Sequence, residues 1–82
     1  MPDIHSRETY RDAVIRVVSS ELCQSPQEIR EEDSWDKLGA DSLDKLAIVE
    51  GVEQCFGGLH IPEKDLDGIQ TPRQLVDYLV SH

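Results

Sequence analysis

The sequence contains few basic residues and little cysteine, and it has no long hydrophobic run. Its two cysteines, Cys23 and Cys55, lie far apart and form no CxxC pair, so we expect free thiols in a reducing cytoplasm, with a disulfide as the alternative. No apolar stretch approaches the roughly 20 residues that a transmembrane helix requires. The first residues lack both the basic region and the hydrophobic segment of a signal peptide.

Positive charge is scarce: lysine and arginine number 8, aspartate and glutamate number 17, and the formal net charge is −9. An acidic chain repels phosphates, so we expect neither a nucleic acid nor an anionic membrane surface as its partner. Basic protein surfaces are the favoured partners. The length of 82 residues predicts one small domain over residues 1–82, expected to be monomeric and with little room for a deep catalytic cleft.

The apolar residues of the chain recur mainly at helical spacing. Residues 6–22 carry apolar side chains at intervals of three and four, the spacing of one helix face, and Ser6 is a candidate N-cap. A second helix is predicted over residues 43–56, ended by Gly57 and Gly58 in left-handed geometry. The apolar residues of the first segment are Tyr10, Val14, Val17, Val18 and Leu22.

Two further helices are predicted near the C-terminus. A proline opens a short helix over residues 62–66. The last helix begins with a capping sequence, in which Thr71 is the N-cap, Pro72 the first helical residue and Gln74 the third, and it continues to Val80.

Between the first two helices, residues 23–41 lose the helical period. Ser25 and Pro26 could open a short helical turn. We expect Trp35 and Leu38 to pack against the core and hold this loop in place, because so long an irregular segment is unusual in a small domain. No strand alternation is present. The predicted fold is therefore all-α: a small four-helix bundle of three main helices and one short helix, with a long first loop.

The most informative segment is LGADSLD at residues 38–44. Gly39 permits a bend, and Asp41 or Ser42 can cap the second helix. Ser42 then lies at the helix N-terminus, where unpaired N–H groups and the positive end of the dipole favour a phosphate ester on its hydroxyl. The alternative is that Ser42 serves only as a cap.

The segment GADSL at 39–43 resembles the phosphopantetheine attachment motif of acyl carrier proteins, and the resemblance extends over nearly the whole chain. It implies a single acyl-carrier-like domain in which Ser42 accepts 4′-phosphopantetheine from coenzyme A through a separate phosphopantetheinyl transferase. Acyl groups would then be carried as thioesters on the arm. The resemblance implies a carrier protein, which is a substrate of its partner enzymes and not itself an enzyme.

The resemblance also implies roles for residues around Ser42. One set matches positions that contact the transferase and the acyl-loading and chain-processing enzymes, whose docking surfaces would be basic: Asp41, Leu43, Asp44, Leu46 and Glu53. A second set would line the interior and shelter an acyl chain, with ordinary core packing as the alternative: Ile48, Val49, Val52, Phe56 and Ile61.

Several residues depart from the fatty-acid-type pattern. Lys45 places a positive charge near the start of the second helix, Ala47 and Gln54 replace common acidic residues, and Glu50 occupies a position that is often apolar. Gly51 lies in mid-helix, where it costs up to about 1 kcal/mol relative to alanine. These changes favour a specialised discrete carrier, in polyketide or other secondary metabolism.

The sequence is also compatible with other functions. A fatty acid synthase carrier is one alternative, and a peptidyl or aminoacyl carrier is another, although such domains more often show a Gly-Gly-x-Ser core. An unmodified helical adaptor would be a protein of another class.

Catalysis and metal binding are not expected. Ser42 is not in a G-x-S-x-G context. The three histidines have neither ligand nor triad spacing, and the aspartates of the loop and the second helix fit no EF-hand register. These residues are His5, His60, His82, Asp33, Asp36, Asp41 and Asp44.

Overall fold

The computed structural model describes residues 7–57 and 59–81, and these form helices and connecting turns without a β-strand. The all-α prediction is confirmed. Within these residues no helix is both long enough and apolar enough to span a bilayer. The α-helices are α1 (Arg7–Leu22), α2 (Trp35–Leu38), α3 (Ser42–Cys55), α4 (Glu63–Leu66) and α5 (Pro72–Ser81), and a 3₁₀ turn (Pro26–Glu28) precedes α2.

The first long helix, α1, is the centre of the bundle, since it packs against both α3 and α5. The core is aliphatic apart from Trp35, and its burial is the main favourable contribution to folding. Tyr10 and Phe56 close one end, with ring centroids 4.8 Å apart. The fully buried residues include Val14, Val18, Ile48, Val52, Leu75, Val76 and Leu79.

Gly51 lies where α3 crosses α1. A Cβ atom at this position would be 2.8 Å from Cγ1 of Val17, which is closer than such atoms pack. The mid-helix glycine therefore allows the two helices to approach, and this contact accounts for a residue that helix propensity disfavours.

The segment between α1 and α3 is more regular than the sequence indicates. The 3₁₀ turn confirms the short helical turn predicted at Ser25 and Pro26. A second helix, α2, was not predicted, and Ser34 caps it by accepting a hydrogen bond from the Lys37 N–H at 3.2 Å. Gly39 ends it in the left-handed conformation, with φ of 89°, so the bend predicted at this glycine is confirmed.

Trp35 and Leu38 hold this segment against the core, as predicted, with only 5% and 6% of their surfaces exposed. The Trp35 indole Nε1–H donates to the Ile69 carbonyl at 2.9 Å, and its backbone N–H donates to the Gln70 carbonyl at 3.1 Å. These two bonds tie α2 to the turn before α5. The distance of 34 residues along the chain explains why the sequence did not reveal them.

Two helix ends differ from the predictions. Phe56 is the C-cap of α3 with φ of −116°, and Gly57 has no positive φ, so the left-handed ending predicted at Gly57 is wrong. The Phe56 N–H instead donates to the Glu53 carbonyl, and the ring packs on Tyr10. Pro62 is the N-cap of α4 and not its first residue. The predicted Ser6 cap and Gly58 lie outside the described residues.

The predicted cap of α5 is confirmed in its main contact. The Gln74 N–H donates to Thr71 Oγ1 at 3.1 Å. The Gln74 side chain accepts from the Gln70 N–H and not from the Thr71 N–H that a capping box requires. The reciprocal bond is thus displaced by one residue, because Gln70 already lies beside the helix end through its carbonyl bond to Trp35.

Candidate functional site

The N-terminus of α3 is closed by a reciprocal pair of hydrogen bonds. Asp41 Oδ1 accepts from the Asp44 N–H at 2.8 Å, and Asp44 Oδ2 accepts from the Asp41 N–H at 3.3 Å. Asp41 has the extended backbone of an N-cap, and Ser42 is the first helical residue. Of the two candidate caps, Asp41 is therefore the cap, and the alternative in which Ser42 serves only as a cap is wrong.

The Ser42 side chain is exposed, and its hydroxyl makes no hydrogen bond to any residue that the structure describes. The oxygen is available to an enzyme that approaches from solvent. The first N–H groups of a helix lack partners within the helix, so the backbone beside Ser42 presents partial positive charge. A phosphate ester on this oxygen would lie against those groups, and the residues present therefore fit a phosphorylated arm.

The residues before Ser42 determine where it lies. Ala40 is buried, with 4% of its surface exposed, and its N–H donates to the Trp35 carbonyl at 2.8 Å. The left-handed Gly39 reverses the chain immediately before it. Because Ala40 is held inward, Asp41 and Ser42 emerge at the surface where α3 begins.

Two grooves flank Ser42. One, of about 450 Å³, lies between the start of α3 and α4, and the other, of about 190 Å³, lies between α3 and α2. Ser42 and Lys45 line both. The Lys45 Nζ donates to the carbonyl oxygen of Leu66, at the end of α4, at a distance of 2.7 Å. Sequence reasoning treated Lys45 only as a change in surface charge and missed this contact, which joins residues 21 positions apart.

The residues assigned to partner recognition differ in their surroundings. Leu43 and Leu46 are exposed over 74% and 38% of their surfaces, respectively, beside Ser42, which suits a contact surface. Asp41 and Asp44 also lie beside Ser42, with their carboxylates in the helix cap. Their contact with partner enzymes stays a prediction.

Glu53 lies elsewhere, at the far end of α3. Its Oε2 accepts a hydrogen bond from the Ile61 N–H at 2.7 Å and lies 3.6 Å from His60 Nδ1. The carboxylate therefore holds the segment that follows α3. Nothing in the local sequence indicated this role, because it depends on the path of the chain after Phe56.

Four of the five residues assigned to the interior are buried in the bundle. Phe56 is half-buried and packs against the core. The role of this set in sheltering an acyl chain stays a prediction. The four buried members of the set are Ile48, Val49, Val52 and Ile61.

A comparison with known families bears directly on this arrangement. The chain matches the PP-binding family model, described as a phosphopantetheine attachment site, over residues 12–79. It belongs to the phosphopantetheine attachment family. The match runs from α1 into α5 and includes Ser42 with both grooves. As a member of this family the protein is a carrier, and its cofactor is covalently attached 4′-phosphopantetheine.

In a carrier, the phosphopantetheine group supplies the reactive thiol, and the protein chain supplies the attachment site. When bound, phosphopantetheine supplies a thiol that holds its cargo as a thioester. Carrier domains of this family are generally not catalytic and act with a phosphopantetheinyl transferase and partner enzymes. Across residues 7–57 and 59–81, no three His, Cys, Asp or Glu side chains are grouped so that they could hold a metal ion.

Proposed function

We propose that the protein is an acyl carrier and that its 4′-phosphopantetheine arm is attached through Ser42. The observation that carries this proposal is the separation of roles at the start of α3. Asp41 caps the helix, so the Ser42 hydroxyl is exposed and is not needed to hold the fold. In the attachment, the Ser42 oxygen would displace adenosine bisphosphate from coenzyme A and lose its proton to solvent or to the transferase.

Intact mass spectrometry tests the attachment directly. The protein is incubated with coenzyme A and a promiscuous phosphopantetheinyl transferase. Wild type should gain the mass of one phosphopantetheine, and Ser42→Ala should gain none. Ser34→Ala is the matched control, because Ser34 is also an exposed serine at a helix N-terminus, and it should be modified like wild type.

Two results would contradict the proposal. Modification of Ser42→Ala would place the arm on another residue. A wild-type chain that stayed unmodified with every transferase tried would favour the unmodified helical adaptor.

For the pathway, we propose a specialised discrete carrier for polyketide or other secondary metabolism. Support comes from the charge of the α3 surface. Lys45 places a positive charge where the fatty-acid-type pattern is more uniformly acidic, and Ala47 and Gln54 stand where acidic residues are common. The carboxylates of Asp44 and Glu53 are bonded within the protein, which leaves fewer free acids for a basic docking surface.

Reconstitution with a fatty acid synthase set separates the pathways. We expect slow elongation on the loaded protein, compared with that on the synthase's own carrier. Efficient turnover would indicate a fatty acid synthase carrier. Aminoacyl cargo on material from the native host would indicate a peptidyl carrier.

We further propose that the protein is a monomer in a reducing cytoplasm. Cys23 and Cys55 are both exposed, free thiols, which fits a compartment that keeps thiols reduced. Sedimentation at rising protein concentration, with reductant, should give the mass of one chain. A dimer in reductant would contradict the monomer.

A further inference from the structure

We propose that Lys45 is a cation that exchanges partners when the arm is attached: it leaves the Leu66 carbonyl and pairs with the phosphodiester on Ser42. The inference rests on the proposed attachment at Ser42. It adds that attachment of the arm breaks the hydrogen bond between Lys45 of α3 and the Leu66 carbonyl of α4. The site involved is the larger groove beside Ser42, and the ligand class is a phosphate diester.

Lys45 is placed to reach that phosphate. It follows Ser42 by three residues on α3, and residues at this spacing are neighbours on a helix surface. Both residues line each of the two grooves. The phosphorus would be bonded directly to the Ser42 oxygen, so its charge would lie at the junction of the grooves whatever path the rest of the arm takes.

The surrounding charges favour the exchange. Asp36 and Asp41 line the smaller groove, and Glu63 and Asp67 line the larger one. A phosphodiester adds a negative charge to these carboxylates. Lys45 is the cation that borders both grooves, and an ammonium gains more from an anion than from a neutral carbonyl.

The Leu66 carbonyl can release Lys45 without losing all its partners. The Ile69 N–H also donates to this oxygen, at 3.0 Å. The carbonyl would therefore keep one hydrogen bond after Lys45 leaves, and no buried acceptor would be left unpaired. The hydrogen bond between α3 and α4 would be lost. The backbone hydrogen bonds at the end of α4 would then break transiently more often.

Amide hydrogen exchange in unmodified and loaded protein tests the exchange of partners. The reporter is the Ile69 amide, and the Val18 amide in the core of α1 is the internal reference. In wild type we expect loading to raise the Ile69 exchange rate about fivefold, the change that losing one hydrogen bond of ordinary net strength produces in a local opening equilibrium. The Val18 rate should be unchanged by loading.

Three variants identify the cation. Lys45→Gln should exchange fast at Ile69 before loading and show no further rise after it. Lys45→Arg should keep the response, because a guanidinium also binds phosphate. Lys64→Gln is the matched control, since Lys64 lines the larger groove but not the smaller one. This variant should respond to loading like wild type.

Failure of this inference can be distinguished from failure of the proposed attachment, because the intact mass of every sample is recorded first. A chain that is not modified at Ser42 overturns the attachment and this inference together. A chain that is loaded at Ser42 but shows no change at Ile69 overturns this inference alone. So does an equal response in Lys45→Gln, or a response that disappears only in Lys64→Gln. The wild-type comparison decides the matter even if a variant folds poorly.

Discussion

The carboxylate of Asp41 and the hydroxyl of Ser42 are adjacent in the chain and make different contacts. Asp41 completes the hydrogen bonds of the α3 N-terminus, whereas Ser42 contributes its backbone and leaves its hydroxyl at the surface. A modified residue that also capped its helix would couple loading to helix stability. Here the two roles belong to two residues, so the cap of α3 should be nearly unaffected by the chemical state of the Ser42 oxygen.

Substitutions at these two positions should therefore differ in their effect on stability. Asp41→Ala should lower the free energy of unfolding by about 0.5–2 kcal/mol, the cost of a lost N-cap. Ser42→Ala should change it by less than about 0.5 kcal/mol, as expected for an exposed side chain. Urea denaturation of both variants measures this. Asp41→Asn, which keeps a capping oxygen, is the control, and an equal loss in Asp41→Ala and Ser42→Ala would contradict the assigned cap.

At the scale of elements, the contact between α1 and α3 depends on a missing side chain. Gly51 lets the Val17 side chain approach the α3 backbone. Alanine at this position would improve helix propensity by up to about 1 kcal/mol but would insert a methyl group where there is no room. Val17 is short and branched, so it has little freedom to move away. The steric cost should be larger than the gain.

Gly51→Ala should consequently destabilise the protein, by about 1 kcal/mol or more. The same substitution in a Val17→Ala background should be neutral or stabilising, because the colliding methyl groups are gone. Chemical denaturation of the four proteins forms a double-mutant cycle that isolates this contact. Additive effects of the two substitutions would show that the helices do not meet as described.

A side-chain hydrogen bond joins the short helix α4 to α5. The Tyr78 hydroxyl donates to Asp65 Oδ2 at 2.7 Å. The hydrogen bond to Asp65, followed by burial and the charge of the carboxylate, raises the pKa of Tyr78 above its ordinary value. The bond needs the protonated phenol. Its stabilisation is therefore complete below the ordinary tyrosine pKa of about 10 and is lost as the pH rises through the higher pKa of the folded state.

Alkaline pH should lower the free energy of unfolding, because deprotonation of Tyr78 removes its hydrogen bond to Asp65. Between about pH 8 and pH 12, the unfolding free energy of wild type should fall more steeply than that of Tyr78→Phe. Asp65→Asn should reduce the difference, because the amide carries no charge. Subtracting the ultraviolet titration of Tyr78→Phe from that of wild type gives the phenol's own curve. A curve at or below the ordinary tyrosine range would contradict the assignment.

At the scale of the whole molecule, repulsion among like charges opposes folding. The formal net charge is −9, and the ion pairs present, such as Arg7 with Asp77 and Arg11 with Glu31, lie at or near the surface. Surface pairs of this kind contribute about 0–1 kcal/mol each. Salt weakens attraction and repulsion alike, but the acidic residues far outnumber the basic ones, so the loss of repulsion should be the larger effect.

Moderate salt should thus raise the thermal midpoint of the unmodified protein. A gain of about 1 kcal/mol corresponds to about 4–8 °C in a domain of this size. The control is a triple variant, Glu21→Gln, Glu50→Gln and Glu63→Gln, which removes exposed charges and should respond less to salt. Calorimetry of both proteins in increasing sodium chloride makes the comparison. A midpoint that stays constant or falls would show that the ion pairs outweigh the repulsion.

Much of the architecture was predictable because it depends on neighbours in the chain. The period of residues 10–22 places Val14 and Val18 in the core, and the cap at Thr71 follows from three residues within four positions of the chain. The ends of α3 were less predictable. Asp41 and Ser42 are both good caps, and only the Asp44 contact distinguishes them. At the other end, Phe56 is the C-cap and packs on Tyr10, and Gly57 does not adopt the left-handed geometry that the local sequence favours.

Local patterns in the chain were sufficient for the helical class and for the motif around Ser42, since helix period, capping residues and GADSL are all read over a few residues. The roles of Lys45, Glu53 and Gly51 became visible only in the folded chain. Each depends on an atom from a distant segment: the Leu66 carbonyl, the Ile61 N–H and the Val17 methyl group. A one-dimensional pattern reports which residues can form a helix or accept a bond, and packing decides which atoms meet.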